Sequence, residues 1–176
     1  MQGVRLGVDV GKARIGVAKC DPHRLLATPV ETVTRDDEHH SDVQRILALA
    51  VEHNAVDIVV GLPVNLSGKH TPATADARQF AQRLADATRS APETESLEVR
   101  LVDERLSTVT AQSQFHAVGK STRQTRAVID QAAAVVILQH ALDSDRAQGV
   151  TTGEYLAPKA TAQDATARHE KASGNL

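Results

Sequence analysis

The sequence VRLGVDVGKARIGVAKC, residues 4–20, determines how the fold begins. Its first half has valine or leucine at every second position, which is the period-two pattern of a β-strand. A short turn over residues 11–14 separates this strand from a second apolar run over residues 15–20. Strands so close along the chain are expected to pair as an antiparallel hairpin.

Downstream of the hairpin, the sequence indicates alternating strands and helices. A third, weaker strand over residues 27–33 completes an antiparallel meander, and Ser41 is expected to cap a first helix. The runs at residues 57–61 (DIVVG) and 98–102 are typical of buried strands, and a helix starting at Thr71 lies between them. Because parallel strands need crossover connections, this order predicts a mixed α/β sheet with helices on both faces.

Two helical patterns follow the last of these strands. The first is expected from Ser107 to about Val118, and the second begins near Thr125. The buried side of the second helix is predicted to consist of Ile129, Ala132, Ala133, Val136, Ile137 and His140. Beyond Asp143 the apolar periodicity is lost. We therefore expect one folded domain over residues 1–143 and a mobile, disordered tail over residues 144–176.

The composition excludes several classes of protein. With 176 residues, 41% apolar and 24% charged, the chain suits one globular domain. The single cysteine, Cys20, excludes a disulfide framework, and no apolar run approaches the ~18 residues of a membrane span. The N-terminus lacks a signal-peptide pattern, so a cytoplasmic protein is expected. With a net charge of −2, any nucleic-acid contact must come from a local basic patch or from bound metal ions. With 2% aromatic residues, a platform of aromatic side chains for base stacking is not expected.

Two acidic motifs lie where strands are expected to end. Asp9 precedes a turn whose glycines leave backbone N–H groups accessible to a metal or phosphate oxygen, although an ordinary polar hairpin turn explains this motif as well. Asp103 and Glu104 end a buried strand, where ligand sites of open α/β sheets gather. The favourable interaction of acids with a helix N-terminus is an equally consistent interpretation of this pair.

A third acid, Asp130, lies in an apolar helix. A buried carboxylate is costly unless it is paired, protonated or bound to a metal, whereas an acid in the first helical turn that faces solvent fits the periodicity equally well. Three acids without a cysteine cluster or a histidine pair favour an all-oxygen site for Mg²⁺ or Mn²⁺ over a zinc site. A pair of such ions suits phosphodiester hydrolysis.

Two further features border these acids. The loop over residues 61–68 follows a buried strand and is expected to open onto the same edge of the sheet as Asp9, or to be a plain connection. Lys120, Arg123 and Arg126 form an acid-free basic stretch. This stretch is interpreted either as a solvated connection between helices or as a patch that contacts phosphates.

Four motifs of the chain resemble those of one known family. GVDVGKARIGVA, DIVVGLPVNLSG, VDERLSTVTAQ and AVIDQAAAVVIL occur in the order and spacing of the YqgF/RuvX-type family of pre-16S rRNA nucleases, which are also described as Holliday-junction-resolvase-like proteins. The similarity extends from about Val4 to Leu142. It implies an RNase H-like α/β fold, with a mixed five-stranded sheet whose first three strands are antiparallel, flanked by helices.

The resemblance also implies a metal-dependent endonuclease. Asp9, Glu104 and Asp130 match the family's acidic positions and would serve as catalytic residues and as ligands of one or two Mg²⁺ or Mn²⁺ ions. Asp103 is the adjacent alternative to Glu104, but successive strand residues face opposite ways, so only one of the two should point into the site. The expected phosphate-contacting residues are Lys12, Arg14, Lys120, Arg123 and Arg126.

The substrate implied by the resemblance is the 5′ end of pre-16S rRNA, free or in ribosomal precursor particles, for a monomer or homodimer that needs no membrane. A Holliday-junction-type resolvase is an alternative that would apply the same chemistry to junction DNA as a two-fold dimer. A non-catalytic ribosome-maturation or transcription factor on the same fold is another. An ATP-binding interpretation of Asp9 and Gly11 would need a second domain, for which 176 residues leave no room.

Overall fold

A computed structural model describes residues 3–65, 67–104 and 123–159, apart from the side chains of residues 123–125. The helix expected from Ser107 to Val118 lies outside the described residues. The strands are β1 Val4–Val10, β2 Arg14–Cys20, β3 Ala27–Thr34, β4 Ala55–Leu62, β5 Glu98–Asp103 and β6 Glu154–Tyr155. The α-helices are α1 Ser41–Glu52, α2 Pro72–Ala87 and α3 Arg123–Gln148, and Thr88–Ser90 forms a short 3-10 turn after α2. Across the described residues, no helix is long and apolar enough to cross a membrane.

The strands form one mixed sheet in the order β3-β2-β1-β4-β5-β6. β2 pairs antiparallel with both β1 and β3, and β1, β4 and β5 run parallel to one another. The predicted mixed α/β sheet with an initial antiparallel meander is therefore confirmed. The described residues contain six strands rather than five, because the short strand β6 pairs antiparallel with β5.

Alternate residues of the central strands face two different layers of helices. In β1, Leu6 and Val8 join the larger apolar core, which includes side chains of α1 and α2. Gly7 points the other way, since a Cβ built on it would lie 2.6 Å from the Cβ of Leu138 in α3. Asp9 is two residues beyond Gly7 and therefore shares the α3 face of the sheet. This face carries the candidate site residues considered below.

The predicted N-cap is confirmed for α2 but not for α1. Thr71 caps α2 as expected: its hydroxyl accepts from the backbone N–H of Thr74, whose own hydroxyl accepts from the backbone N–H of Thr71. Ser41 is not an N-cap but the first residue of α1, after His40. The hydroxyl of Ser41 donates to the Asp36 carboxylate at 2.6 Å, so it bonds the preceding loop instead of capping the helix.

The buried face of α3 is rotated from the predicted one. The fully buried residues of this helix are Ala134, Ile137, Leu138, Ala141 and Leu142. Of the predicted stripe, only Ile137 is among them. The reason is close packing: α3 lies so near β1 that the backbone oxygen of Ala134 would be 2.9 Å from a Cβ on Gly7. A face with alanine at two of its positions permits this approach.

The expectation of a disordered tail from residue 144 is wrong for residues 144–159. Helix α3 continues to Gln148, and β6 adds to the edge of the sheet, where Arg100 of β5 pairs with Tyr155. The backbone N–H of Leu156 also donates to the carbonyl of Val99 at 2.8 Å. The folded part therefore extends past the predicted boundary at Asp143. Residues 160–176 lie outside the described residues.

A buried ion cluster explains why the chain beyond Asp143 is ordered. Asp57 accepts from the Arg100 Nε at 2.8 Å and lies 3.1 Å from the Arg5 Nε. Asp145, near the end of α3, pairs with both arginines and accepts from the backbone N–H of Thr152 at 2.7 Å. Both arginine side chains are at most 4% exposed. Two buried positive charges therefore need the Asp145 carboxylate in addition to Asp57.

We predict that Asp145→Asn destabilises the protein by about 3 kcal/mol, because it leaves one of two buried guanidinium groups without a full counter-charge. The measurement is the free energy of unfolding in urea. Asp143→Asn is the matched control: this carboxylate is 56% exposed and pairs with Arg146 on the surface, so its removal should change stability by less than about 1 kcal/mol. Equal stability losses for the two variants would contradict the structural role of the cluster.

Candidate active site

The candidate site lies where β1 and β5 end, on the α3 face of the sheet. Asp9 is the second-last residue of β1, Glu104 directly follows β5, and α3 brings Asp130 to the same face. Arg14 is the first residue of β2, the strand that pairs with β1, and it contacts Asp130. The three predicted acids thus come from chain segments that are far apart in the sequence.

Gly61 makes room for the carboxylate of Glu104. A Cβ built on Gly61 would lie 2.4 Å from the Glu104 Oε1 and 2.6 Å from the Cδ1 of Ile137 in α3. The Glu104 carboxylate therefore occupies the space between strand β4 and helix α3. Any larger residue at position 61 would displace this carboxylate or the helix.

Gly16 makes room for the backbone of Asp130 in α3. A Cβ on Gly16 would lie 1.8 Å from the backbone oxygen of Asp130, which is far closer than atoms can approach. Thr32 of β3, which pairs with Gly16 in the sheet, donates its hydroxyl to the carbonyl of Ala127 at 2.8 Å. The start of α3 is therefore fixed against β2 and β3 by a glycine contact and a hydrogen bond.

The surroundings of the site raise the pKa values of two of its acids. Burial, and then the charge of Asp130, raise the pKa of Asp9 to about 6. Burial, followed by the charges of Asp9 and Asp103, raises the pKa of Glu104 to about 7. Desolvation and mutual repulsion both disfavour the charged forms, so a bound cation would relieve both costs. This is the electrostatic character expected of a cation-binding site.

Asp130 has a cationic partner on strand β2. The Arg14 Nε donates to the Asp130 Oδ2 at 2.7 Å, and the two side chains are 35% and 21% exposed. The pair is thus partly solvated, in contrast to the deeply buried cluster around Asp57. Its net contribution to stability is expected to be small, about 0.2–1 kcal/mol.

The donor atoms suit a hard divalent ion, but the arrangement is not a closed metal cage. Carboxylate oxygens are the ligands that Mg²⁺ and Mn²⁺ prefer, and neighbouring carboxylates add to the effect of burial in raising the pKa values of Asp9 and Glu104. Among the described residues, no three Asp, Glu, His or Cys side chains are close enough together to hold an ion. Asp130 in particular is engaged by Arg14.

Comparison with known proteins identifies the family. The sequence profile of the RuvX family, described as Holliday junction resolvase, matches residues 3–144. The chain belongs to the RuvX family. A relative from Clavibacter michiganensis subsp. michiganensis is 58% identical over 151 residues, 86% of this chain and 89% of that protein. A relative from Nocardioides sp. is 52% identical over 156 residues, 88% of this chain and 96% of that protein, and both are named "Putative pre-16S rRNA nuclease".

Solved structures support the fold of this RuvX family member. Thermus thermophilus RuvC in complex with a Holliday junction substrate covers 88% of this chain and 99% of its own, with a TM-score of 0.52 and 16% identity. A second structure of Thermus thermophilus RuvC aligns with a TM-score of 0.50 and 13% identity. At these identities the likeness concerns the fold alone, and it confirms the predicted RNase H-like architecture.

The structure places only some of the expected phosphate-contacting residues of this RuvX protein. Lys12 is exposed on the turn between β1 and β2, and Arg126 is exposed one helical turn before Asp130. Arg14 is committed to Asp130. Lys120 and the side chain of Arg123 lie outside the described residues.

Several positions that support the site were not identified from the sequence. Gly7, Gly16 and Gly61 matter because α3 packs against them, a role that the sequence analysis assigned to none of the three. Arg35 is a second omission: it donates to the Gly11 carbonyl at 3.0 Å while its guanidinium is held by Asp76. Glycines inside strands are the available signal, because they often mark a close backbone approach.

We predict that Gly16→Ala destabilises this RuvX protein by about 1–3 kcal/mol or more, since the new methyl group collides with the backbone of α3. The measurement is thermal and urea unfolding. Gly3→Ala is the control, because its Cβ would meet only methyl groups of Val56 at 3.1 Å, which can turn aside. Wild-type stability of Gly16→Ala would show that α3 does not lie against β2 at this point.

We also predict a pH dependence from the pKa of Asp9. Because its folded pKa, about 6, exceeds the ordinary aspartate value of 3.8, the folded state binds more protons between these values. The unfolding free energy of the metal-free protein should therefore fall, on the order of 1–3 kcal/mol, as the pH rises from about 4 to 7. Urea unfolding in the presence of a chelator measures this slope. Asp9→Asn should make the slope shallower without abolishing it, because the raised pKa of Glu104, about 7, contributes a slope of the same sign. An unchanged slope in this variant would contradict the assignment.

Proposed function

We propose that this chain is a divalent-metal-dependent endonuclease that hydrolyses phosphodiester bonds, acting in the maturation of the 5′ end of 16S rRNA precursor. The observation that carries the proposal is the electrostatic coupling of Asp9 to Asp130 and of Glu104 to Asp9, on one face of an RNase H-like sheet. Membership of the RuvX family supports the nuclease activity.

Asp9, Glu104 and Asp130 are the proposed catalytic residues and metal ligands. Asp9 is central, because its charge affects Glu104 and is itself affected by Asp130. Bound there, one or two Mg²⁺ or Mn²⁺ ions would supply a nucleophilic water at neutral pH and stabilise the leaving oxygen. Burial contributes by excluding bulk water, which strengthens each electrostatic interaction with the reacting phosphodiester.

Lys12, Arg14 and Arg126 are the proposed phosphate contacts within the described residues, together with Lys120 and Arg123 from sequence. Lys12 and Arg126 are exposed beside the two elements that carry Asp9 and Asp130. Such contacts would hold the sugar-phosphate backbone on both sides of the bond to be cut. They read no base sequence, so selectivity would come from the shape of the structured nucleic acid.

The names of similar proteins favour ribosomal RNA as the substrate. Relatives at 58% and 52% identity are named for pre-16S rRNA, and the proposed partners are therefore this RNA or ribosomal precursor particles in the cytoplasm. The family description, Holliday junction resolvase, supports junction DNA as the second candidate. Symmetrical cutting of a junction would require a two-fold dimer, whereas a single cut in rRNA can be made by a monomer.

We predict that Asp9→Asn reduces cleavage of a 5′-extended 16S rRNA precursor by at least about 100-fold in the presence of Mn²⁺, because it removes a charged ligand while keeping the side-chain volume. Asp130→Asn and Glu104→Gln should behave similarly. Thermal stability without metal should be unchanged or increased for Asp9→Asn, because the substitution removes a buried charge that is repelled by its neighbours.

The assay should compare the rRNA precursor with a four-way DNA junction under identical conditions. Asp103→Asn distinguishes the adjacent acids: if Glu104 is the ligand, this variant retains most of the activity that Glu104→Gln loses. Faster cutting of the junction than of the rRNA would favour the resolvase. Binding of the precursor without cleavage in any metal would identify a non-catalytic maturation factor.

A further inference from the structure

The ion pair of Arg14 and Asp130 joins two residues to which the proposed function gives different partners. Asp130 is a proposed ligand of a divalent ion, and Arg14 is a proposed contact of a substrate phosphate. In the structure they bind each other, with the Arg14 Nε donating to the Asp130 Oδ2 at 2.7 Å. A cation on this carboxylate would be repelled by a guanidinium at the same distance, so the ion and Arg14 compete for Asp130.

We propose that Arg14 exchanges between Asp130 and a backbone phosphate of the nucleic acid, so that phosphate binding releases Asp130 to complete the metal site. This inference rests on the proposed function, which supplies both the phosphate and the ion. Arg14 is then a positioning residue that couples substrate binding to metal binding. It accounts for the finding that no three acids gather around one point among the described residues.

The exposure of the pair makes the exchange energetically feasible. The two side chains are 35% and 21% exposed, so water already reaches both. Forming a partly exposed ion pair of this kind is typically favoured by an equilibrium factor of no more than about fivefold, so breaking it costs little. A phosphate can accept two parallel hydrogen bonds from a guanidinium, which is a stronger interaction than one bond through Nε. The phosphate therefore competes effectively for Arg14.

The exchange needs only side-chain rotation. The backbone of Asp130 is fixed against Gly16, because its carbonyl oxygen would lie 1.8 Å from a Cβ at that position. Thr32 holds the carbonyl of Ala127 at 2.8 Å, which fixes the preceding turn of α3. Arg14 is the first residue of β2, and its side chain is 35% exposed. Rotamer changes at such positions are fast compared with enzyme turnover.

The inference has a thermodynamic consequence. If phosphate removes Arg14 from Asp130, nucleic acid must raise the affinity for the ion, and the ion must raise the affinity for nucleic acid by the same factor. Part of any such coupling would come from direct contact of the ion with a phosphate. The part due to Arg14 is the part that disappears when Arg14 is replaced.

The first experiment titrates Mn²⁺ into the full chain without nucleic acid, by calorimetry. Arg14→Gln should bind Mn²⁺ about two- to fivefold more tightly than the wild type, because Asp130 no longer has a competing partner. Lys12→Gln is the matched control, since it removes a positive charge from the same turn. Its effect should be smaller. In an Asp130→Asn background, Arg14→Gln should have no larger effect than Lys12→Gln.

The second experiment repeats the Mn²⁺ titration with an RNA hairpin whose phosphorothioate backbone slows hydrolysis. Saturating hairpin should tighten Mn²⁺ binding more in the wild type and in Lys12→Gln than in Arg14→Gln. Arg14→Lys provides a second variant if Arg14→Gln does not fold. It keeps the charge without the planar donor group, and its Mn²⁺ affinity without hairpin should lie between those of the wild type and Arg14→Gln.

The outcomes separate this inference from the function on which it rests. Weaker Mn²⁺ binding by Arg14→Gln would show that Arg14 orients Asp130 for the ion, which overturns the exchange. Equal effects of Arg14→Gln and Lys12→Gln, or an unchanged hairpin effect in Arg14→Gln, also overturn it while the proposed metal site stands. Absence of Mn²⁺ binding in every protein, with and without hairpin, would overturn the metal site itself together with the exchange.

Discussion

The close approach of helix α3 to the sheet is the constraint on which the site depends. It is possible because Gly7, Gly16 and Gly61 lack side chains where the helix passes: a Cβ built on each would lie only 1.8–2.6 Å from the nearest atom. Glycine weakens a strand by roughly 0.5–1 kcal/mol relative to alanine. Three such positions on adjacent strands let the helix bring its acid close to the acids of the strands. Packing and chemistry are therefore set by the same contacts.

The two ends of α3 lie in different electrostatic environments. Asp145 at its C-terminal end belongs to a cluster in which two arginines face two carboxylates, so the buried charges balance. At the other end, Asp9 and Glu104 are half-buried, and burial together with neighbouring carboxylates raises their pKa values to about 6 and 7. The cluster around Asp145 stabilises the fold. The repulsion among the acids at the other end can be relieved by a cation, which is the basis of the proposed metal binding.

Much of the fold could be predicted because the signals are local. The alternation in residues 4–20 and the apolar run at 57–61 identify strands that the structure contains, and the motif at Thr71 identifies the start of α2. The order beyond Asp143 could not be predicted in this way. Arg5, Asp57 and Arg100 look like ordinary polar strand positions, and only the folded sheet shows that they surround Asp145. Likewise, the pairing of Arg14 with Asp130 joins residues that no local pattern connects.

The length of α3 links these observations. Asp130 and Asp145 are fifteen residues apart on one helix, which corresponds to about 22 Å along the axis and nearly the same face. The same rigid element therefore reaches the carboxyl ends of the parallel strands with Asp130 and their amino ends with Asp145. Because the buried arginines fix one end and the contact with Gly16 fixes the other, the backbone at the site has little freedom. Adjustment at the site must then come from side chains, and Arg14 and Asp130 are the partly exposed pair able to provide it.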